Sequence, residues 1–297
     1  MMQTIRSLFA KAYSHAAMLK AFLTDKSNAP VHPKIFVGAE YIRSDSDDGL
    51  YIRAVENANH NFEAFLNFKR NEDYRVVLEH VSYEQGRAYL EILRSEAPDF
   101  VERVDRFLIN DIVGNPIRFF YEGVGLVSPT TLRYLKVASD LRQLFGDLNG
   151  AQVAEIGVGY GGQLLILDQI YEFQRYDLYD LPPVLRLTSR YLESHLLNSC
   201  YSTTTLNQCG RDASYDLVLS NYAFSELPAK LALKYVEKVL SKARRGYLTM
   251  NSGRGTSERN RGKLSIEDYR NLLPAFEIKE ERPLTGADNY ILVWGHK

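Results

Sequence analysis

Three closely spaced glycines are the first residues whose spacing indicates chemistry. Gly157, Gly159 and Gly162, in the stretch 153–165 (VAEIGVGYGGQLL), satisfy the pattern G-x-G-x-x-G. Such a turn brings backbone N–H groups to the N-terminus of a helix, where they commonly hold the pyrophosphate of a dinucleotide. The alternative is a turn that binds nothing, in which the glycines only permit the backbone to bend. The neighbouring residues separate these interpretations.

Two acidic residues accompany the glycines. Glu155 precedes Gly157 by two positions, at the carboxyl end of a predicted strand. A carboxylate there repels a pyrophosphate by about 4 kcal/mol at ~4 Å and an effective dielectric of ~20, whereas it attracts a ligand with an ammonium and a sulfonium. Asp180 ends the next predicted strand, where it can accept hydrogen bonds from a ribose or cap the helix that begins at Pro182. Glu155 therefore favours a cationic ligand over a dinucleotide.

The elements that must position these residues alternate between strand and helix in the second half of the chain. Strands are expected at 151–157, 176–181, 201–206, 215–221, 245–252, 276–284 and 289–297. Helices are expected at 129–145, 161–173, 182–197, 228–243 and 263–274. This alternation predicts right-handed crossovers and a parallel sheet covered on both faces. The last two strands are separated by the turn sequence TGAD, which predicts a hairpin and an antiparallel final strand.

Capping residues mark the ends of two of these helices. Ser128 and Pro129 predict the start of the first helix, and Gly146 predicts its end. Ser265 and Asp268 have the spacing of a capping box at the start of the last helix.

In the first half of the chain, apolar residues recur at helical spacing from about 49 to 108, and no motif there indicates catalysis or ligand binding. We expect it to form a lid over the site or an oligomer contact, with a homodimer as one outcome. Residues 1–24 predict an amphipathic helix with scattered basic residues. It either packs on a protein surface or makes a peripheral membrane contact.

The motifs together resemble those of class I S-adenosyl-L-methionine (SAM)-dependent methyltransferases. EIGVGYGG is similar to their first motif, YDLYDLP is similar to their second, and an antiparallel seventh strand is their hallmark. Within that superfamily, YEGVGLVSPTTLRY, DLP and LSNYAFSELP resemble a bacterial group of sugar O-methyltransferases. The resemblance implies an α/β fold with a Rossmann-like class I methyltransferase sheet, parallel with an antiparallel last strand, preceded by a mainly helical N-terminal domain. It places the helical domain at 1–120 and the methyltransferase domain at 121–297.

The resemblance also implies a cofactor, a reaction and a set of site residues. The cofactor is SAM, and the reaction is methyl transfer to a sugar hydroxyl of a glycan or glycan precursor. The residues expected to bind the cofactor are Glu155, Gly157, Val158, Gly159, Gly161, Asp180, Leu181, Ser220 and Asn221.

The acceptor is expected beyond the fourth strand, where SNYAFSELP emerges. Tyr222 and Phe224 are candidates to line its pocket. A sugar hydroxyl is a weak nucleophile, so a base or a metal is expected beside it, and Glu226 is the carboxylate in this loop. The alternative for Glu226 is a cap or first-turn charge on the helix after Pro228.

Other acceptor-site candidates come from neighbouring elements. Asn251 ends the fifth strand, and Arg133 and Tyr134 lie on the helix before the first strand. The loop after Asn251 carries Arg254, Arg259 and Arg261, which either bind a phosphorylated or nucleotide-linked sugar or are simply solvated.

Metal and histidine chemistry find little support in the sequence. No histidine falls in a loop predicted at the carboxyl edge of the sheet, and no carboxylate cluster has a spacing that specifies Mg²⁺. We expect no dedicated metal site, although divalent metal dependence stays open.

Three rival functions remain from the sequence. One is O-methylation of a small aromatic or polyketide-like molecule, since 20 tyrosines and 14 phenylalanines suit an apolar pocket as well as a core. Another is a SAM-binding scaffold without activity, and the third is an NAD oxidoreductase. The net charge of −1 gives no indication of nucleic-acid binding. No apolar run reaches a membrane-spanning length, and Cys200 and Cys209 fit reduced thiols in a cytoplasmic protein.

Overall fold

The computed structural model of the chain describes residues 49–209, 214–254 and 260–296. The predicted amphipathic helix at 1–24 and Arg259 lie outside these ranges. Within them, no helix is both long enough and apolar enough to cross a lipid bilayer.

The part of the chain before the sheet is mainly helical. Its helices are α1 (Gly49–His60), α2 (Phe62–Leu66), α3 (Glu72–Arg75), α4 (Tyr83–Glu96), α5 (Pro98–Glu102) and α6 (Ile109–Ile112). An antiparallel hairpin of β1 (Phe119–Tyr121) and β2 (Gly125–Val127) follows. α4 begins with a full capping box between Ser82 and Gln85, which fixes the chain direction just after the segment 76–81.

The helix α7 (Pro129–Phe145) leads from this part into the sheet. The Ser128 hydroxyl accepts a hydrogen bond from the Thr131 N–H, Pro129 takes the first helical position, and Gly146 ends the helix with a φ of 74°. These caps confirm the predicted bounds. One face of α7 packs on α4, and this contact joins the helical part to the sheet.

Seven strands form the central sheet. They are β3 (Gln152–Ile156), β4 (Arg175–Tyr179), β5 (Tyr201–Thr204), β6 (Leu217–Asn221), β7 (Gly246–Met250), β8 (Glu277–Glu280) and β9 (Tyr290–Trp294). Their order is β5-β4-β3-β6-β7-β9-β8. The strands β3 to β7 are mutually parallel, and β9 is antiparallel to both of its neighbours. The predicted fold class, with its antiparallel final strand, is confirmed.

The remaining helices connect the strands. They are α8 (Gly162–Asp168), α9 (Pro182–Glu193), α10 (Ala223–Glu226), α11 (Ala229–Lys238) and α12 (Ile266–Leu272). The capping box that the sequence predicts between Ser265 and Asp268 is present at the start of α12. A β3–α8 crossover places the glycine turn at the carboxyl edge of the sheet, where doubly wound sheets bind ligands.

Helical part and sheet share one hydrophobic core. Tyr51, Phe65 and Leu90 from the helical part belong to the same buried cluster as Leu164 and Leu187 beside the sheet. A second cluster on the other side of the sheet includes Trp294.

A buried lysine adds a polar link between the two parts. Lys69 donates to the Asn110 carbonyl oxygen, and its ammonium lies 4.0 Å from the centre of the Tyr160 ring, next to the glycine turn. These contacts link the helical part of the chain to the residue that follows Gly159 in the glycine turn.

Candidate cofactor and acceptor site

The glycine turn has a backbone conformation that other residues rarely adopt. Gly157, Gly159 and Gly161 all have positive φ angles, of 75°, 55° and 86°. At Gly157 a side chain is also excluded by space, because a Cβ atom would lie 1.9 Å from the Cβ of Ala223. The turn therefore brings its backbone close to α10, and both requirements explain glycine at this position.

Glu155 lies beside the turn in a buried environment. Its side chain accepts a hydrogen bond of 2.7 Å from the Tyr176 hydroxyl, and the residue is 2% exposed. Burial raises the pKa of Glu155 to about 8, against the opposing effect of the Tyr176 hydrogen bond. At pH 7 the unliganded protein therefore holds Glu155 mostly protonated. A mostly protonated Glu155 repels a pyrophosphate less than the ionised carboxylate that the sequence predicts, and a bound cation would favour ionisation of Glu155.

Asp180 bridges the turn and the next helix. One carboxylate oxygen accepts from the Gly159 N–H at 3.1 Å, and the other accepts from the Leu181 N–H at 2.7 Å. The N-cap of α9 is Leu181, so Asp180 is not the capping residue that the alternative interpretation required. The sequence-predicted pair of acids thus lies on either side of the glycine turn.

A cavity of about 250 Å³ opens at this edge of the sheet. Its lining combines the glycine turn, the ends of β6 and β7, α7, the segment 77–85 and the loop before β9. The lining residues are Val77, Leu78, His80, Gln85, Arg133, Tyr134, Glu155, Gly157, Val158, Asn221, Tyr222, Ala223, Glu226, Asn251, Thr285, Gly286 and Asn289. Nine of the predicted site residues line this one cavity: Arg133, Tyr134, Glu155, Gly157, Val158, Asn221, Tyr222, Glu226 and Asn251.

The two residues predicted at the end of β6 differ in role. The Ser220 hydroxyl donates to the Ile156 carbonyl and accepts from the Phe224 N–H, so this fully buried side chain braces the strand ends and does not line the cavity. The Asn221 amide does line the cavity. Its oxygen is buried and has no hydrogen-bond partner among the described residues, so it can accept a hydrogen bond from a donor group of a ligand.

Glu226 is held in place by its neighbours. Its Oε1 accepts from the Asn251 amide at 3.0 Å, and the Asn251 oxygen accepts from the Ser225 hydroxyl at 2.8 Å. The N-cap of α11 is Pro228, and its first turn has no acidic residue. The cap and first-turn interpretation of Glu226 is therefore wrong, because the residue ends α10 instead. Its carboxylate is oriented at the cavity wall.

Tyr222 is a non-glycine residue with a positive φ, of 67°. Such a conformation costs roughly 1–3 kcal/mol and persists where the surrounding structure imposes it. The Tyr222 hydroxyl donates to the buried Glu281, and Glu281 also accepts from the Thr285 and Asn289 side chains. The phenol is thereby fixed between the main cavity and a small adjoining one of about 20 Å³. Phe224, the second predicted wall residue, is fully buried behind it.

Arg133 and Tyr134 reach the cavity from α7. Both residues are more than nine-tenths buried. The Arg133 guanidinium donates through Nη2 to the Leu78 carbonyl at 3.1 Å. The loop arginines behave differently, since Arg254 pairs with Glu280 and stacks on Tyr290, and Arg261 is exposed.

His80 corrects one expectation from the sequence. No histidine was expected at the carboxyl edge of the sheet, yet the segment between α3 and α4 brings His80 to the cavity. Partial loss of hydration, and then the positive charge of Arg133, lower the pKa of His80. The imidazole is therefore neutral at pH 7 and can accept a proton. The position of His80 depends on packing between the helical part and the sheet, and no local pattern signals it.

The described residues give no metal centre. Within 49–209, 214–254 and 260–296, no group of three or more His, Cys, Asp or Glu side chains is placed to hold a metal ion. Cys200 and Cys209, both within the described ranges, form no disulfide bond, and the Cys209 thiol contacts the Tyr179 hydroxyl.

Among known proteins, the chain has structural neighbours at low sequence identity. No protein-family model matches the chain, and a search of curated proteins found no match. Magnesium protoporphyrin IX methyltransferase (ChlM) from Synechocystis PCC 6803, solved with bound SAM, is 17% identical with a TM-score of 0.42. That comparison covers 69% of this chain and 95% of ChlM. The PH0226 protein from Pyrococcus horikoshii OT3 is 13% identical with a TM-score of 0.44, over 58% of this chain and 92% of that one.

Similarities of this size carry no inference about substrate or reaction. The assignment of the fold rests on the strand order, the parallel strands β3 to β7 and the antiparallel β9. By that order, the chain has a Rossmann-like α/β fold with the antiparallel final strand that the resemblance to class I methyltransferases predicts.

Proposed function

We propose that the protein is a SAM-dependent O-methyltransferase that acts on a sugar hydroxyl of a glycan or glycan precursor. The observation that carries the proposal is the number of hydrogen-bonding side chains that line the cavity beside the glycine turn. Ten of its lining side chains can form hydrogen bonds in addition to Glu155: His80, Gln85, Arg133, Tyr134, Asn221, Tyr222, Glu226, Asn251, Thr285 and Asn289. An acceptor with many hydroxyl groups needs donors and acceptors of this kind. A flat aromatic acceptor would leave most of these hydrogen-bonding groups without a partner.

The residues around the turn fit the cofactor. Gly157 lines the cavity, where no side chain covers its backbone, and the buried Asn221 amide oxygen lacks a donor among the described residues. Glu155 lies where an ammonium or sulfonium would ionise it, and Asp180 lies at the strand end suited to a ribose. SAM, when bound, supplies a methyl group on a positively charged sulfur.

The chain's own residues would supply orientation and a base. The acceptor hydroxyl is held by side chains of the cavity wall, and alignment of oxygen, methyl carbon and sulfur contributes several kcal/mol. Glu226 would accept the hydroxyl proton, while bound SAM would give its methyl group to the acceptor oxygen and leave as S-adenosylhomocysteine. The Asn251 amide keeps the receiving carboxylate in position. His80 is a second candidate for the same role, because a neutral imidazole lies on the same cavity.

A methyl-transfer assay tests the proposal. The purified full chain is incubated with methyl-labelled SAM and a panel of sugar nucleotides, free glycans and catechol-type aromatics. The proposal expects label in a sugar acceptor and a 10²- to 10⁴-fold lower kcat in Glu226→Gln or His80→Asn, whichever residue is the base. Label confined to an aromatic acceptor would refute the sugar assignment. A protein that binds SAM but labels none of these acceptors would favour the scaffold interpretation.

A further inference from the structure

Arg133 is a buried cation that forms no ion pair with any described residue. The residue is 8% exposed, and among the described residues its one hydrogen bond is the donation from Nη2 to the Leu78 carbonyl. Its Nε–H is buried and has no acceptor there. A guanidinium has five N–H donors and stays charged at all relevant pH values. A buried charge without a counter-charge is costly, so a missing anion is indicated.

Two acids lie near Arg133, and neither forms an ion pair with it among the described residues. Glu79 accepts a hydrogen bond from Thr130, and burial raises its pKa against the opposing positive charges of Lys69 and Arg133. Glu281 accepts from the side chains of Tyr222, Thr285 and Asn289. Within the described ranges, Arg133 forms no ion pair with either acid. The guanidinium therefore has N–H donors left for a ligand in the cavity that it lines.

The position of Arg133 defines the kind of anion that it would meet. It lines the main cavity together with Gly157 of the glycine turn and also lines the small cavity that Tyr222 borders. Guanidinium groups match the planar geometry of a carboxylate, with two parallel hydrogen bonds. We infer that Arg133 binds a carboxylate group of a ligand in the main cavity.

Two ligands can carry that carboxylate, and the inference rests on the proposed function for both. One is the cofactor, whose amino-acid end would lie near Glu155 and Asn221. The other is an acidic sugar acceptor. In either case Arg133 is a binding residue with a defined chemical preference, beyond the general acceptor contact that the sequence predicts.

Isothermal titration of the full chain distinguishes these sources. The first arm compares S-adenosylhomocysteine with S-adenosyl-3-thiopropylamine, which lacks only the carboxylate. The second arm titrates the protein saturated with S-adenosylhomocysteine with UDP-glucuronate and with UDP-glucose. The variants are Arg133→Met, Arg133→Lys and, as the matched control on the same helix, Arg142→Met, whose arginine pairs with Asp99 instead. Thermal melting verifies that each variant is folded.

The inference expects a preference for the carboxylate of about 10- to 100-fold in the wild-type chain, in one of the two arms. Arg133→Met should abolish that preference, Arg133→Lys should retain part of it, and Arg142→Met should leave it unchanged. Loss in the first arm assigns the carboxylate to the cofactor, and loss in the second assigns it to the acceptor. Unchanged preferences in folded Arg133→Met overturn the inference. A wild-type chain that binds no S-adenosylhomocysteine would refute the proposed function instead.

Discussion

The protonation of Glu155 makes a quantitative prediction about cofactor binding. Burial raises the pKa of this carboxyl group to about 8 in the unliganded protein. A ligand that carries an ammonium beside it stabilises the ionised form, so binding releases a proton. At pH 7 about one Glu155 in eleven is ionised, and ionising the rest opposes binding by about 1.4 kcal/mol.

The expected result is a rise in affinity for S-adenosylhomocysteine with pH. The dissociation constant should fall about tenfold from pH 6 to 7 and about fivefold from pH 7 to 8, and should then level off. Isothermal titration in two buffers of different ionisation enthalpy measures both the affinity and the released proton. Glu155→Gln should bind more weakly with a flat profile.

Tyr176→Phe provides the control for this reasoning. The Tyr176 hydrogen bond lowers the pKa of Glu155, so its removal should move the pH profile to higher pH. A wild-type affinity that is constant from pH 6 to 8, or a Glu155→Gln variant with the wild-type slope, would refute the linkage.

Three further predictions concern stability and turnover. The folded-state pKa of Glu155 lies above its unfolded value, so the unliganded protein should lose stability as pH rises from about 4.5 to about 8. Urea unfolding should show this loss in the wild type and not in Glu155→Gln. Gly157→Ala should destabilise the fold by about 2–4 kcal/mol and abolish cofactor binding, because the new Cβ would meet Ala223. Gly150 has a similar φ but open space around it, so Gly150→Ala should cost about 1 kcal/mol. Thermal melts of the pair check this difference, and equal losses would contradict it. Glu226→Gln should reduce kcat at least 100-fold without changing the affinity for S-adenosylhomocysteine, and a wild-type kcat would exclude Glu226 as the base.

Local patterns were sufficient to predict the frame of the site. Strand and helix periodicity placed Glu155 and Asp180 at adjacent strand ends, and parallel strands bring such ends together on one edge of a sheet. Capping chemistry at Ser128 and Gly146 fixed the bounds of α7, and therefore the position of Arg133 over that edge. These residues depend on interactions within a few positions along the chain.

Features that depend on tertiary packing escaped prediction. His80 reaches the cavity because the helical part shares a core with the sheet, a contact that no short sequence pattern encodes. Thr285 and Asn289 line the cavity through the loop before β9, whose course depends on the buried Glu281. The protonation of Glu155 depends on its burial, which a strand pattern does not specify in full.

The identity of the nucleotide-like ligand is the central claim, and one measurement tests it most directly. Isothermal titration of the wild-type chain with S-adenosylhomocysteine and, separately, with NAD compares the two ligands that fit a glycine-rich turn. We expect micromolar binding of S-adenosylhomocysteine, weakened by Glu155→Ala and by Asp180→Ala, and no binding of NAD. Binding of NAD without binding of S-adenosylhomocysteine would contradict the account and would make the glycine pattern a dinucleotide site.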